Sequence, residues 1–301
     1  MKILFTFPGQ GTQHPGMLKT LPQYDLWRAR VDAVLGEGEM ARLDTPQALE
    51  HTRAVQLCLL IAGVAWAERL RLSGVRPDMV CGLSIGEYPA AVVAGALDFA
   101  DALRLVARRG ELMEQAWPSG YGLTAIMGLS RRQVESAMAG SDVWVANLNA
   151  EYQIVIAGSD TAMAETGERA KALGASRVKR LAVSVPSHCP LLDKPASELA
   201  KEFQSITLRR PAIAWLSGSS ARVIWQPERI AECLANNMAR TVRWQEAMVA
   251  AEERGVGLAV EMPPGGVLTC LARQAFRAAD ALSLERSGVE VICHVAARLS
   301  R

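Results

Sequence analysis

The chain of 301 residues is half hydrophobic and 21% charged, an ordinary composition for a soluble globular protein with a large core in one or two domains. Its 33 Lys and Arg stand against 31 Asp and Glu, and a net charge of +2 with no basic stripe excludes an electrostatic case for a nucleic-acid partner. Six cysteines lie far apart without a Cys-x-x-Cys or a metal-ligand spacing, so they read as reduced core thiols of a cytoplasmic protein with no bound metal.

Lys2 to Phe7 is an apolar run that predicts a buried strand, and Pro8 and Gly9 stop it before a signal-peptide core could form. It feeds Pro8-Gly9-Gln10-Gly11-Thr12-Gln13, a glycine-rich loop whose backbone N–H groups can bind an anion or stabilise an oxyanion. A plain loop is the competing reading, and the lysine and spacing of a phosphate-binding loop are missing. Leu21 to Leu35 and Pro46 to Leu72 are predicted helices, the second with Thr45 as N-cap and Pro46 at its first position. Its most apolar part, Ala54 to Ala67, is interrupted by Gln56 and falls short of the about 20 residues that cross a bilayer, so it reads as a buried helix with no membrane role.

Val75 to Leu83 is the next predicted strand, and it runs into Gly82-Leu83-Ser84-Ile85-Gly86. In a nucleophile elbow this Gly-x-Ser-x-Gly pattern lets a strand turn sharply into a helix, the glycines removing Cβ atoms that would clash as the serine is pushed into a strained, exposed position. The required helix follows as Ala90 to Ala116, with a break at Asp98 to Asp101. Alternating strand and helix predict a parallel sheet with its ligands at the carboxyl ends of the strands. With 24 glycines in the chain the pattern also arises by chance, so the elbow needs partners before it means chemistry.

Between Gly120 and Ser184 the texture changes. Leu123 to Met127, Val143 to Asn147, Gln153 to Ala157 and Arg177 to Val183 read as strands, and Arg131 to Ala139 and Thr161 to Leu173 as helices. That order, β-α-β-β-α-β, is the ferredoxin-like split motif. It predicts a small domain, residues 120–184, inserted in a discontinuous large one, residues 1–119 and 185–301. Beyond it, prolines bracket a histidine in Val185-Pro186-Ser187-His188-Cys189-Pro190. Leu191 to Phe203, Ile230 to Met238 and Val242 to Arg254 read as helices, and Ile213 to Leu216 and Leu258 to Glu261 as strands.

A catalytic serine needs a base, and histidine has the pKa for it near neutral pH. Of His14, His51, His188 and His294, only His188 sits in a proline-framed turn that would fix its ring; a structural histidine is the alternative. Arg109 lies on the helix after the elbow, and a guanidinium near an acylated serine would grip an acyl group that carries a carboxylate. Its neighbour Arg108 reads as solvated, and for Arg109 the solvated reading also stands open.

Taken in order, these segments resemble a family. Phe7-Pro8-Gly9-Gln10-Gly11-Thr12-Gln13, Gly82-Leu83-Ser84-Ile85-Gly86-Glu87-Tyr88, Leu97-Asp98-Phe99-Ala100-Asp101-Ala102, Arg109-Gly110-x-x-Met113, Val183-Ser184-Val185-Pro186-Ser187-His188-Cys189 and Pro264-Gly265-x-Val267-Leu268 follow the sequence of motifs found in malonyl-CoA:acyl carrier protein transacylases. The resemblance implies an α/β-hydrolase-like large domain with a parallel sheet and a ferredoxin-like small domain. It implies a ping-pong acyltransferase that takes a malonyl group from malonyl-CoA to the prosthetic-group thiol of an acyl carrier protein, with Ser84 as nucleophile and His188 as base. It further implies an oxyanion hole from the N–H groups of Gln10 and Ile85, Arg109 as the partner of the malonyl carboxylate, and the backbone carbonyl of Asn237 as the group that orients His188. No resident cofactor is expected, CoA being a substrate carrier.

Leu83 stands where fatty acid transacylases usually carry histidine, and Pro263-Pro264-Gly265-Gly266 replaces the usual Gly-Pro-Gly. With Tyr88-Pro89-Ala90-Ala91, the Gly-Leu-Ser-Ile-Gly segment looks most like the malonyltransferase (epsilon) subunit of bacterial malonate decarboxylase, whose acceptor is a small dedicated carrier subunit. A transacylase of fatty acid or polyketide synthesis is the alternative, and a serine hydrolase or thioesterase, which the elbow alone permits, is the second. Gln56, Asn147 and Asn149 could line the pocket or be locally satisfied amides. Arg177, Lys179 and Arg180 could dock an acidic carrier or form a solvated strand edge.

Overall fold

Leu4, Phe5 and Phe7 of the first strand, β1 (Lys2–Phe7), have no exposed surface, as a central parallel strand covered on both faces requires. A computed structural model describes residues 1–299. After β1 come α1 (Tyr24–Leu35), α2 (Glu39–Leu43), α3 (Thr52–Leu72), β2 (Met79–Gly82), α4 (Glu87–Val93) and α5 (Phe99–Ala116). A second group follows: β3 (Tyr121–Met127), α6 (Arg131–Met138), β4 (Val143–Ala150), β5 (Gln153–Ser159), α7 (Asp160–Ala172) and β6 (Arg177–Arg180). The chain then returns through α8 (Asp193–Glu202), β7 (Ala214–Leu216), β8 (Val223–Ile224), α9 (Pro227–Asn236), α10 (Trp244–Glu253), β9 (Val256–Glu261), α11 (Val267–Ala275), β10 (Asp280–Ser283) and α12 (Leu284–Leu299).

The larger sheet has the order β10-β9-β1-β2-β7-β8 and is parallel except for its edge strand β8, which pairs antiparallel with β7. The smaller sheet is antiparallel in the order β4-β5-β3-β6, the arrangement of the split motif. The mixed α/β fold expected from the alternation of elements is therefore the observed one. Several boundaries move for local reasons. Leu21 precedes Pro22, which disfavours helix, and Gln23 is left-handed, so α1 begins at Tyr24. His51 is extended, so Thr45 caps only a short turn, its hydroxyl accepting from the Ala48 amide at 3.2 Å, and α3 starts at Thr52. The elements α2, β8, β10, α11 and α12 lie outside the predicted set: α2 and the two strands are too short to show a pattern, and Gly288 kinks α12.

Two faces of the small sheet are covered differently. Ile126, Ile154 and Ile156 pack with Val134 of α6 and Met163 of α7. Leu123, Ala125, Val155 and Ala157 pack with Cys189, next to His188. The Leu148 amide of β4 donates to the Val242 carbonyl (2.8 Å), and the Val242 amide to that of Ala146 (2.9 Å). The small sheet thus braces both the histidine segment and the strip that follows α9. Among the described residues no helix is long and apolar enough to cross a membrane.

Candidate active site

The first wall of the site is the turn out of β2. Leu83 is extended and Ser84 is left-handed, with φ of 58°, a conformation that costs a non-glycine residue on the order of 1–3 kcal/mol. The glycines on either side are dictated by contact. A Cβ on Gly82 would lie 1.9 Å from the Gly86 carbonyl carbon, and one on Gly86 would lie 2.1 Å from the Phe7 oxygen. The loop after β1 passes against the same turn, a Cβ on Gly9 reaching within 3.7 Å of the Ser84 Cβ. The amides of Gln10 and Ile85 have no internal acceptor among the described residues, so both N–H groups are available. The Gln10 side chain accepts from Gln56 Nε2 at 3.3 Å.

The second wall is the proline-framed turn. His188 is also left-handed, with φ of 64°, and its amide donates to the Met238 carbonyl at 2.6 Å. Its Nδ1–H faces the carbonyls of Asn237 (2.9 Å) and Arg240 (3.1 Å), which places the proton on Nδ1 and leaves Nε2 as the basic nitrogen. Burial and, secondarily, the nearby Arg109 lower its pKa to about 4. Ser84 and His188 do not hydrogen-bond to one another here; the Ser84 hydroxyl accepts from Arg109 Nη2 at 3.3 Å.

Asn237 joins the two walls. Its backbone carbonyl holds His188, its Oδ1 accepts from Arg109 Nη2 (3.0 Å), and its Nδ2 donates to the Ser84 carbonyl (3.0 Å) and to Glu87 Oε2 (2.7 Å). Glu87 also accepts from the Gly218 amide at 2.7 Å. Burial raises the Glu87 pKa to about 7, against the pull of its hydrogen bonds and of Arg109. Arg109 has no exposed surface and no carboxylate partner in a salt bridge, and its Nε and Nη1 have no acceptor among the described residues. The ring of Tyr88 lies 5.8 Å from its guanidinium carbon. Unpartnered N–H groups of a buried cation are costly unless an incoming acceptor meets them.

The model of the acyl transferase domain matches residues 4–290 of this sequence. The chain belongs to the acyl transferase domain family. It is 35% identical over 288 residues to the malonyl CoA-acyl carrier protein transacylase of Escherichia coli K12, covering 91% of this chain and 92% of the relative. The structure of the malonyl CoA-acyl carrier protein transacylase from Coxiella burnetii superposes with a TM-score of 0.93 at 33% identity, over 100% of this chain and 98% of the other. A malonyl-transacylase solved in complex with its type II polyketide synthase acyl-carrier protein superposes with a TM-score of 0.88 at 34% identity, over 94% and 96%.

In this acyl transferase the fold brings Ser84, His188, Arg109 and Asn237 together, with the loop of Gln10 against the elbow of Ile85. His14 and His51 face instead the surface carboxylates of Glu285 and Glu114. Of the pocket candidates, Gln56 lies beside Gln10 and Met113, Asn147 sits at a register shift of β4, and Asn149 has a buried Oδ1 without a partner. Arg180 donates to the carbonyls of Tyr121, Leu123, Leu181 and Val183 and pairs with Asp160, so it is a strut of the small sheet. Sequence reasoning missed Glu87, the side chain of Asn237 and the Arg240 carbonyl. Glu87 had left a signal, a carboxylate in the otherwise uncharged α4 directly after the elbow glycine. Among the described residues no group of three or more His, Cys, Asp or Glu could hold a metal ion.

Proposed function

We propose that the protein moves a malonyl group from malonyl-CoA to the prosthetic-group thiol of an acyl carrier protein through a malonyl-serine ester. The observation that carries this reading is Arg109, wholly buried beside Ser84 with Nε and Nη1 unpartnered. A carboxylate on the acyl chain would supply an acceptor to this buried cation, through a charge-assisted hydrogen bond.

Ser84 Oγ attacks the thioester carbonyl while His188 Nε2 takes its proton. The oxyanion is held by the N–H groups of Gln10 and Ile85, each such donor being worth roughly 3 to 4 kcal/mol in the transition state. Collapse expels the CoA thiolate, which takes the proton back from His188. The carrier thiol then gives its proton to His188, attacks the ester carbonyl, and Ser84 leaves reprotonated. The carbonyls of Asn237 and Arg240 hold the imidazole tautomer throughout, in place of a carboxylate. No resident cofactor enters these steps. Residues 120–184 form the inserted unit that shields the ester from water, in a cytoplasmic enzyme.

Two acceptors are in play. The names of the similar proteins support an acyl carrier protein, in one case that of a type II polyketide synthase, and so the fatty acid or polyketide alternative. Leu83 within Gly-Leu-Ser-Ile-Gly, followed by Tyr88-Pro89-Ala90-Ala91, favours instead the carrier subunit of a malonate decarboxylase. Intact-mass measurement after brief incubation with malonyl-CoA, with acetyl-CoA and Ser84→Ala controls, tests the chemistry, and adding each carrier separately tests the acceptor. A malonyl adduct on Ser84 that moves to a carrier is the expected result. An adduct lost to water without any carrier would replace the transferase with the hydrolase or thioesterase reading.

A further inference from the structure

The geometry points to Glu87 as a positioning residue that sets the acyl-group selectivity of Ser84, acting through the side chain of Asn237 on Arg109. This rests on the malonyl-transfer reading and adds a residue to it. Glu87 is 1% exposed and meets two donors, the Gly218 amide at Oε1 and Asn237 Nδ2 at Oε2, both at 2.7 Å. Both ends of the side chain must accept, which the two oxygens of a carboxylate do and a carboxamide cannot.

The consequence passes to Asn237. Its Nδ2 lies between two acceptors, Glu87 Oε2 and the Ser84 carbonyl, while its Oδ1 faces the Arg109 Nη2 donor. The opposite amide orientation would set Oδ1 against two acceptors and Nδ2 against a cation that can only donate. Glu87 therefore fixes the amide so that an acceptor faces Arg109. That acceptor engages Nη2 and holds the guanidinium in place, with Nε and Nη1 still without an internal acceptor and able to meet a substrate carboxylate. Glutamine at position 87 cannot do this. With Oε1 toward Gly218, its Nε2 meets Asn237 Nδ2 and turns the amide over, so that a donor faces Arg109. With Oε1 toward Asn237, its Nε2 meets the Gly218 N–H instead. Burial makes either mismatch expensive, because no water replaces the lost partner.

The test is the single-turnover rate of acyl-enzyme formation from malonyl-CoA and from acetyl-CoA, in the wild type, Glu87→Gln, Asn237→Ala and the double variant, with thermal melting of each. Glu87→Gln is expected to lower malonyl loading about tenfold more than acetyl loading. Asn237→Ala should lower the same ratio, and Glu87→Gln should lower it no further in that background. Equal losses for the two acyl groups would reduce Glu87 to a structural role and overturn the proposal, as would additive changes in the ratio. Should Glu87→Gln fail to fold, Asn237→Ala cuts the same link from the other side, and an unchanged ratio there overturns it too. A wild type that forms no malonyl-enzyme overturns both this inference and the reading beneath it.

Discussion

At the carboxyl ends of β1 and β2, Glu87, Arg109 and His188 are 1%, 0% and 4% exposed, whereas Arg131 with Glu135, and Lys171 with Glu168, pair in solvent on the helices of the small sheet. The same residue types do different work in the two places. Exposed pairs gain little because water screens them and side-chain entropy opposes them. Buried ones forfeit hydration, so each must be held by several directed hydrogen bonds, and those bonds fix geometry. The backbone does not divide so cleanly: Ser84 and His188 of the site are left-handed, but so is Gln23 before α1, and β4 and β5 of the small sheet pair with two register shifts. Desolvated charge is what is concentrated where the chemistry is.

Substitutions in the two regions should separate by orders of magnitude. Ser84→Ala has the largest effect: no malonyl adduct by mass, and turnover lower by on the order of 10⁴-fold or more. Gly82→Ala forces a Cβ to 1.9 Å from backbone and should remove about 3 kcal/mol or more of stability in urea titrations, or prevent folding. Arg109→Ala should lower malonyl loading about a hundredfold while acetyl loading falls far less, read by the same mass assay. Equal loss of both acyl groups would remove the carboxylate clamp.

The effect of pH is smaller and has a definite sign. Folding holds His188 neutral, with its pKa lowered from 6.5 to about 4. The stability this contributes is complete above pH 6.5 and is lost as pH falls from there toward 4. The His188 contribution to the acid limb of kcat/KM should accordingly lie below the ordinary histidine value, and a His188 limb at 6.5 would show that burial does not hold the ring neutral. Smallest of all, Arg131→Ala on the small sheet should shift stability by no more than about 0.5 kcal/mol, because its ion pair with Glu135 is exposed.

Local pattern made much of this protein readable. Gly82, Ser84 and Gly86 announce the elbow because its sterics act over a few residues. The β-α-β-β-α-β order of residues 120–184 was plain because strand-like and helical patterns follow one another there along the chain. Helix starts were less legible: Gln23 and His51 leave helical geometry for reasons that a hydrophobic pattern does not carry. Asn237 reached the candidate set through the resemblance alone, as a carbonyl, and its side chain was invisible.

What the sequence by itself determined is the reactive inventory: a serine between clash-free glycines, a histidine framed by prolines, and an arginine on the helix that follows the elbow. Each depends on neighbours in the chain, so each is written locally. The tertiary structure alone decided that Arg109 has no exposed surface, that Asn237 bonds to it across 128 positions and to Glu87 across 150, and that His188 faces carbonyls and not a carboxylate. Desolvation and hydrogen-bond partnership are properties of surfaces that meet, and the meeting is set by the packing of the whole chain.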